Sequence, residues 1–294
     1  MKIFCPHCYK VSPLHFISQD YNKRTTDEYF HHYRCIDCEI IFISPLPENL
    51  GSYYPDTYHS LPDTLAALQV SSERDRYKIE IVKKFATTGS LLEIGPSYGG
   101  FAYLAKQEGF RVDAIELDPN CCDYLRSVVG VNVIQSNDPA EVIRGLVPYD
   151  VVALWHVIEH LPNAWKTLDA ICINIRLGGY VVISSPNPDS FQFLVLGRHW
   201  LHLDAPRHVM LIPTKLLIAK MAQLGMQAEW MTTTDEGSVR CTVGGWQFFF
   251  VNLSSNQFIK RVLIRIGRWV SKLFYPIERL EGKGSAYTIV FKKV

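Results

Sequence analysis

The chain has 294 residues, 48% hydrophobic and 20% charged, which suits one sizeable globular domain with a smaller module beside it. Thirty Lys and Arg against twenty-nine Asp and Glu leave a net charge of +1, so no global basic field advertises a nucleic-acid partner and none is expected. No apolar leader follows Met1, and no uncharged apolar run approaches the roughly 18 residues of a spanning helix, so a cytoplasmic protein is expected, in which paired cysteines point to metal rather than disulfides.

Two such pairs open the chain. Cys5-Pro6-His7-Cys8 and Cys35-Ile36-Asp37-Cys38 form C-x2-C-x26-C-x2-C. Two residues between thiolates let one tight turn aim both sulfurs at a single ion, and two such turns complete the tetrahedral sulfur set that zinc favours. Four thiolates leave no open ligand position, so the zinc is expected to be structural, supplying folding energy to a ribbon too small to fold alone. His7, His31 and His32 could each replace a cysteine but are expected at the surface. Cys121, Cys122, Cys172 and Cys241 are unpaired and read as apolar fillers.

The ribbon is expected over 1–44 and a connector over 45–72, where Pro45, Pro47, Pro55 and Pro62 alternate with Gly51, Tyr53, Tyr54 and Tyr58 and interrupt regular structure. A helix is expected from about Glu73 to Phe85. Beyond it, β-rich runs at Leu91–Ile94, Val112–Ile115, Val131–Ile134, Val151–Trp155 and Tyr180–Ile183 alternate with helical spacing, the signature of βαβ units around a parallel sheet. Pro213-Thr214 opens a helix ended by Gly225, and two more strands are expected at Ala228–Thr233 and Tyr287–Lys292. The main domain is therefore expected over 73–294, with an insert at about 235–284.

Leu91–Ile94 runs into Gly95-Pro96-Ser97-Tyr98-Gly99-Gly100, a buried strand that opens through glycines into a helix, where nucleotide-like ligands meet the carboxyl edge of a parallel sheet. Glu116, twenty-one positions past Gly95 (116 − 95), ends the next strand and can accept from both ribose hydroxyls. A dinucleotide site needs glycine at the middle of G-x-G-x-x-G, so that a pyrophosphate can press on the backbone. Here that position is Ser97, and Glu93 at the loop entrance suits a cation instead.

Glu93–Gly99 resembles the first motif of class I methyltransferases that use S-adenosylmethionine (SAM), and Ala114–Asp118 resembles their second. Tyr149–Leu161 is similar to their fourth strand and its exit, and Leu177–Asn187 to the fifth strand. Together with the cysteine pairs and the Pro/Tyr connector, the chain resembles the branch of this superfamily with an N-terminal zinc ribbon, which includes sugar C-methyltransferases. The resemblance implies a doubly wound, Rossmann-like α/β fold with a mostly parallel seven-stranded sheet. It also implies that Glu93, Gly95, Ser97, Gly99 and Trp155 surround SAM, that Glu116 holds the ribose, that Leu117 packs on adenine, and that Asp138 accepts from the adenine amino group. From the residues alone, Asp138 before Pro139 serves equally as a helix N-cap.

Methyl transfer to a hydroxyl or carbon acid needs a base, which histidine provides near neutral pH. His156-Val157-Ile158-Glu159-His160 follows the fourth strand and also resembles the ubiquinone-type O-methyltransferases, whose matching positions hold a divalent metal. Here His156 replaces an acid, which argues against magnesium, and Glu159 and His160 could instead cap the next helix. A second cluster, Arg198 to His208, follows the fifth strand and supplies His208 as the expected general base. A small-molecule acceptor is expected, a sugar, isoprenoid or lipid-linked intermediate. Competing readings are a nicotinamide-dependent oxidoreductase, disfavoured by Ser97, and a non-catalytic zinc-ribbon binding protein.

In the insert, Phe258, Val262, Ile266, Trp269 and Leu273 share one helical face, while Lys260, Arg261, Arg265, Arg268 and Lys272 share the other, with no acid between them. Such a helix either lies on an anionic membrane surface through 258–274 or packs its apolar face on the domain.

Overall fold

A computed structural model describes residues 2–55 and 58–294; connector residues 56 and 57 lie outside the described residues, as does residue 1. Strands β1 (Leu14–Ser18), β2 (Phe30–Arg34) and β3 (Ile41–Ile43) form an antiparallel meander, and β3 pairs on its far side with Met210–Leu211, placing Ile41 opposite Leu211. The N-terminal sheet is thus completed by a strand from the loop that carries His208. In β2 the period-2 alternation sends Phe30 and His32 to the same buried face, so His32 is not at the surface as expected: its Nε2 lies 2.8 Å from Ser18 Oγ, and burial lowers its pKa to about 3.

Helix α1 (Leu65–Ser72) occupies the end of the expected connector, capped by the Thr64 hydroxyl, which accepts from the Ala67 N–H. Its apolar residues do not gather on one face, which hides it from a periodicity search. A single 3-10 turn at Glu73–Asp75 then separates it from α2 (Arg76–Lys83), where one helix from Glu73 was expected.

The main sheet follows in the expected alternation: β4 (Gly89–Ile94), α3 (Gly100–Gln107), β5 (Phe110–Glu116), α4 (Pro119–Tyr124), β6 (Asn132–Gln135), α5 (Pro139–Arg144), β7 (Val151–Trp155), α6 (Ala164–Asn174) and β8 (Tyr180–Pro186). After α7 (Phe191–Leu196) come β9, the Met210–Leu211 strand, then α8 (Thr214–Gln223), β10 (Met226–Thr232), α9 (Glu236–Val251), α10 (Gln257–Glu278) and β11 (Ala286–Lys293). The seven strands lie in the order β10-β11-β8-β7-β4-β5-β6, with β11 antiparallel to both neighbours and the β8-to-β6 pairs parallel.

Neighbouring residues of each central strand go to opposite cores. Leu92, Val152 and Val181 pack with Leu168 and Ile171 of α6, Leu217 of α8 and the ribbon's Cys5, Cys35 and Ile40; Leu91, Val151 and Val182 pack with Ile79 of α2 and Phe101 of α3. Burial on both faces explains why these strands read as unbroken apolar runs. Their parallel pairing gathers the carboxyl ends of β4, β5, β7 and β8 on one edge.

Arg207, fully buried, ties this edge to the ribbon. Its guanidinium donates to both oxygens of Asp20 (2.5 and 3.0 Å), to both of Asp204 (2.8 and 3.1 Å) and to the Tyr53 carbonyl (2.9 Å). Burial alone would raise the Asp20 carboxyl, but Arg207 and the Thr25 and Lys23 amides hold it well below the usual carboxylate range. Arg207→Ala leaves two buried carboxylates unpaired and is expected to destabilise the fold by about 3–5 kcal/mol, read by denaturant unfolding, with Arg207→Lys a poor substitute because it cannot serve both acids at once.

Candidate active site

The loop after β4 turns on two left-handed glycines. A Cβ on Gly95 (φ +66°) would fall 2.7 Å from Val157 Cγ2, and one on Gly99 (φ +79°) 2.5 Å from Leu125 Cδ2. Between them Ser97 is itself left-handed (φ 54°), its N–H donating to Glu116 Oε2 at 3.0 Å and its hydroxyl 2.7 Å from Nδ1 of His59 in the connector. Glu116 Oε1 accepts from the amides of Leu117 (2.7 Å) and Asp118 (3.0 Å), which locks the carboxylate at the end of β5 beneath the exposed Leu117.

Glu93 is buried, and its Oε2 has no partner among the described residues. Burial raises its pKa to about 8; Lys78 opposes the shift, while Asp75 and Glu116 add to it. Lys78 pairs with Asp75 at 2.7 Å, and the Tyr98 hydroxyl donates to Asp75 at 2.7 Å. The locked Glu116 carboxylate and the unpartnered Glu93 oxygen beside a glycine loop fit a cationic ligand such as the sulfonium and amino group of SAM. Trp155, at the end of β7, is buried edge-on to Tyr77 and Phe101, with Lys78 over its ring. Asp138 caps α5 by accepting from the Glu141 N–H and pairs with Lys166 at 2.9 Å, so of its two readings the cap is the one whose hydrogen bond is made here.

Past the carboxyl end of β7 the structure brings His156, Glu159, His160 and His208 together. Glu159 is wholly buried: Oε2 accepts from the Ser185 hydroxyl, while Oε1 has no hydrogen-bond partner among the described residues and lies 3.5 Å from His156 Nδ1 and 4.0 Å from His208 Nε2. Burial would raise its carboxyl, but His156, His208 and His160 bring it down to about 2. His156 is left-handed (φ 57°), a backbone strain that turns its ring toward Glu159. His160 and His208 meet edge to face, their centroids 4.5 Å apart.

A carbonyl oxygen can only accept, so His208 Nδ1–H donates to the His202 carbonyl (2.8 Å) and that ring is left with a bare Nε2. His160 Nδ1 lies between the Tyr54 hydroxyl (2.9 Å) and the Arg207 carbonyl (3.1 Å). Burial, reinforced by His208, lowers the His160 pKa to about 4 and keeps that ring neutral. Tyr54, His59, Asp75 and Lys78 were not singled out as site residues from the sequence.

At the far end of the chain, the four sulfurs of Cys5, Cys8, Cys35 and Cys38 all lie within 4.8 Å of one another, with closest pairs at 3.4, 3.5 and 3.9 Å. A tetrahedral zinc with Zn–S of about 2.3 Å sets its sulfurs about 3.8 Å apart, so the cluster fits the ion. The two turns are copies of each other: Tyr9 N–H returns to the Cys5 carbonyl and Glu39 N–H to the Cys35 carbonyl, with φ 60° at both Tyr9 and Glu39.

A family described as a methyltransferase domain matches residues 69–228, more than half of the chain. No curated protein matches in sequence. Among solved structures, the chain is similar to a SAM-dependent methyltransferase from Archaeoglobus fulgidus (20% identity, 77% of this chain and 94% of that one, TM-score 0.52). It is also similar to a SAM-dependent methyltransferase from Mesorhizobium loti (10% identity, 77% and 100%, TM-score 0.50). At these identities the likeness is one of fold; the family match decides between the methyl-transfer and hydride-transfer readings of the glycine loop. The chain belongs to the methyltransferase-domain family and is a class I SAM-dependent methyltransferase.

Proposed function

We propose that this methyltransferase acts on a small-molecule acceptor, a sugar, isoprenoid or lipid-linked intermediate, with His208 as general base. The carrying observation is the His208 Nδ1–H to His202 bond, which leaves Nε2 free to take a proton, with the unpartnered Glu159 Oε1 4.0 Å away to stabilise the resulting imidazolium. SAM supplies an electrophilic methyl on a cationic sulfur. In this reading Glu93, Gly95, Ser97 and Gly99 enclose its methionine half, Glu116 accepts from the ribose, and Leu117, Asp138 and Trp155 border the adenine side. His156, Glu159 and His160 orient the acceptor; a neutral His160 avoids repelling the sulfonium. Peripheral membrane contact through 258–274 favours the lipid-linked member of the acceptor list. Residues 1–44 serve as a ribbon and 45–72 as a connector to the transferase of 73–294, and Cys5, Cys8, Cys35 and Cys38 hold a structural zinc.

A second reading uses the same atoms. Glu159, His160 and His208 offer ligand atoms within 4.8 Å of one another, a set that could hold a divalent ion.

Glu116→Ala is expected to weaken SAM binding roughly 10- to 100-fold by calorimetry, the loss of a charge-assisted hydrogen bond or two; unchanged affinity would remove Glu116 from the ribose site. His208→Asn is expected to lower transfer of labelled methyl from SAM into a small-molecule extract on the order of 100-fold or more, with SAM affinity unaltered. Transfer that depends on added magnesium or manganese while the zinc content of the chain stays constant would favour the metal reading over the base. Elemental analysis is expected to find one zinc per chain, and Cys35→Ser to lose it together with thermal stability; a metal-free chain of full stability would sink the zinc assignment.

A further inference from the structure

Helix α10 packs with the wrong face for a soluble domain. At about 100° per residue its surface divides into three stripes roughly 120° apart. One, with Gly267, Ser271 and Glu278, is buried. Gly267 lets the backbones approach so closely that a Cβ there would sit 2.7 Å from Gln247 Cα of α9; Trp246 of α9 stacks on Phe274 and donates to Glu278 at 2.7 Å.

The second stripe is the apolar one, and it faces solvent: Phe258 (75% exposed), Val262, Ile266, Trp269 (72%) and Leu273 (71%). Arg261, Arg265, Arg268 and Lys272 form the third, also exposed. Of the two expectations for this segment, packing of the apolar face on the domain is therefore not what the structure shows.

We infer that α10 docks the protein on the surface of an anionic phospholipid bilayer, with Phe258, Trp269 and Leu273 entering the headgroup boundary and the arginine stripe meeting lipid phosphates. Charge complementarity selects this occupant. No acidic residue lies between Gln257 and Ile277, and α9 carries only Glu236 at its opposite end, so a second copy of the same face offers no carboxylate to the arginines. No helix among the described residues is long and apolar enough to cross a membrane, which leaves surface attachment as the geometry.

The surface is coupled to the acceptor side. The carbonyl of Cys241 in α9 accepts from His202 Nε2 (3.0 Å), and the His202 carbonyl accepts from His208. If the proposed methyl transfer holds, the docked helix would hold the acceptor loop near a lipid-borne substrate; docking itself does not rest on that reading.

Flotation of the full chain with phosphatidylcholine vesicles, and with vesicles containing about one-quarter phosphatidylglycerol, tests it. The chain is expected to float only with the anionic vesicles and to be released at about 0.5 M salt, where screening shortens the reach of the arginines to a few ångströms. Arg265→Glu with Arg268→Glu is expected to weaken binding on the order of 30-fold or more, and Trp269→Ser with Leu273→Ser to abolish it. Calorimetry with SAM confirms that both variants remain folded, independently of any acceptor. Failure of the parent chain to float, or flotation indifferent to salt and to the arginine pair, overturns the inference; so does a dimer in solution that dissociates on the Trp269 and Leu273 changes without any lipid binding.

Discussion

The histidine loop of this protein hangs on one buried guanidinium. Stripping Arg207 of water is expensive, and only its fork of bonds to Asp20, Asp204 and Tyr53 makes the burial tolerable. Those partners come from three separate stretches of chain: the ribbon, the connector and the loop after β8. The next residue is His208, and the Arg207 carbonyl lies 3.1 Å from His160 Nδ1. A single side chain thus fixes the loop in space while its own backbone touches a neighbouring histidine. β9, two residues further on, completes the ribbon sheet through β3, so the histidine loop is held by the N-terminal module on two sides. The N-terminal sheet, which shares its core with the main domain, therefore has a direct mechanical bearing on the histidine cluster.

Across the sheet edge the governing constraint is charge. Glu93, Asp75 and Glu116 surround a loop whose backbone repeatedly enters the left-handed region, at Gly95, Ser97 and Gly99. The left-handed Ser97 and the unpartnered, buried Glu93 carboxyl are unfavourable features of the fold taken by itself, and burial offsets part of the cost by raising the Glu93 pKa. Glu159 is buried too, but with one oxygen bonded to Ser185 and the other facing the histidines its pKa is lowered to about 2, the opposite of Glu93.

What could be read in advance follows from how local each signal is. Leu91–Ile94 and Val151–Trp155 are apolar on both faces because parallel strands are covered on both sides, which made the central strands of the sheet visible. The glycine loop and Glu116 were visible by spacing. Helix α1 was not, because Leu65–Ser72 has no apolar stripe, and α9 was submerged in an insert whose apolar residues run into one another around Gly244 and Gly245. Least visible were the contacts that build the site. Tyr54 reaches His160 across 106 positions, His59 reaches Ser97 across 38, and Asp20 reaches Arg207 across 187. No periodicity carries such pairs. His32 was misplaced at the surface although its alternation with Phe30 pointed inward, since histidine's polarity outweighed the period.

Helix α10 shows the limit of amphipathicity as a guide. A strong apolar stripe identifies a helix and its two-faced character, yet it does not say which face meets the protein, because contact is decided by what the neighbour can accept. Here the neighbour is α9, and small residues at Gly267 and Ser271 permit a backbone approach that larger side chains on the apolar stripe would prevent. Close packing along the narrow seam then leaves the larger hydrophobic area outside. Exposing that area carries a hydrophobic penalty in water, and the penalty is relieved where an apolar surface lies against it. The fold thus places an uncovered face on the same pair of helices that positions His202 and, through it, His208.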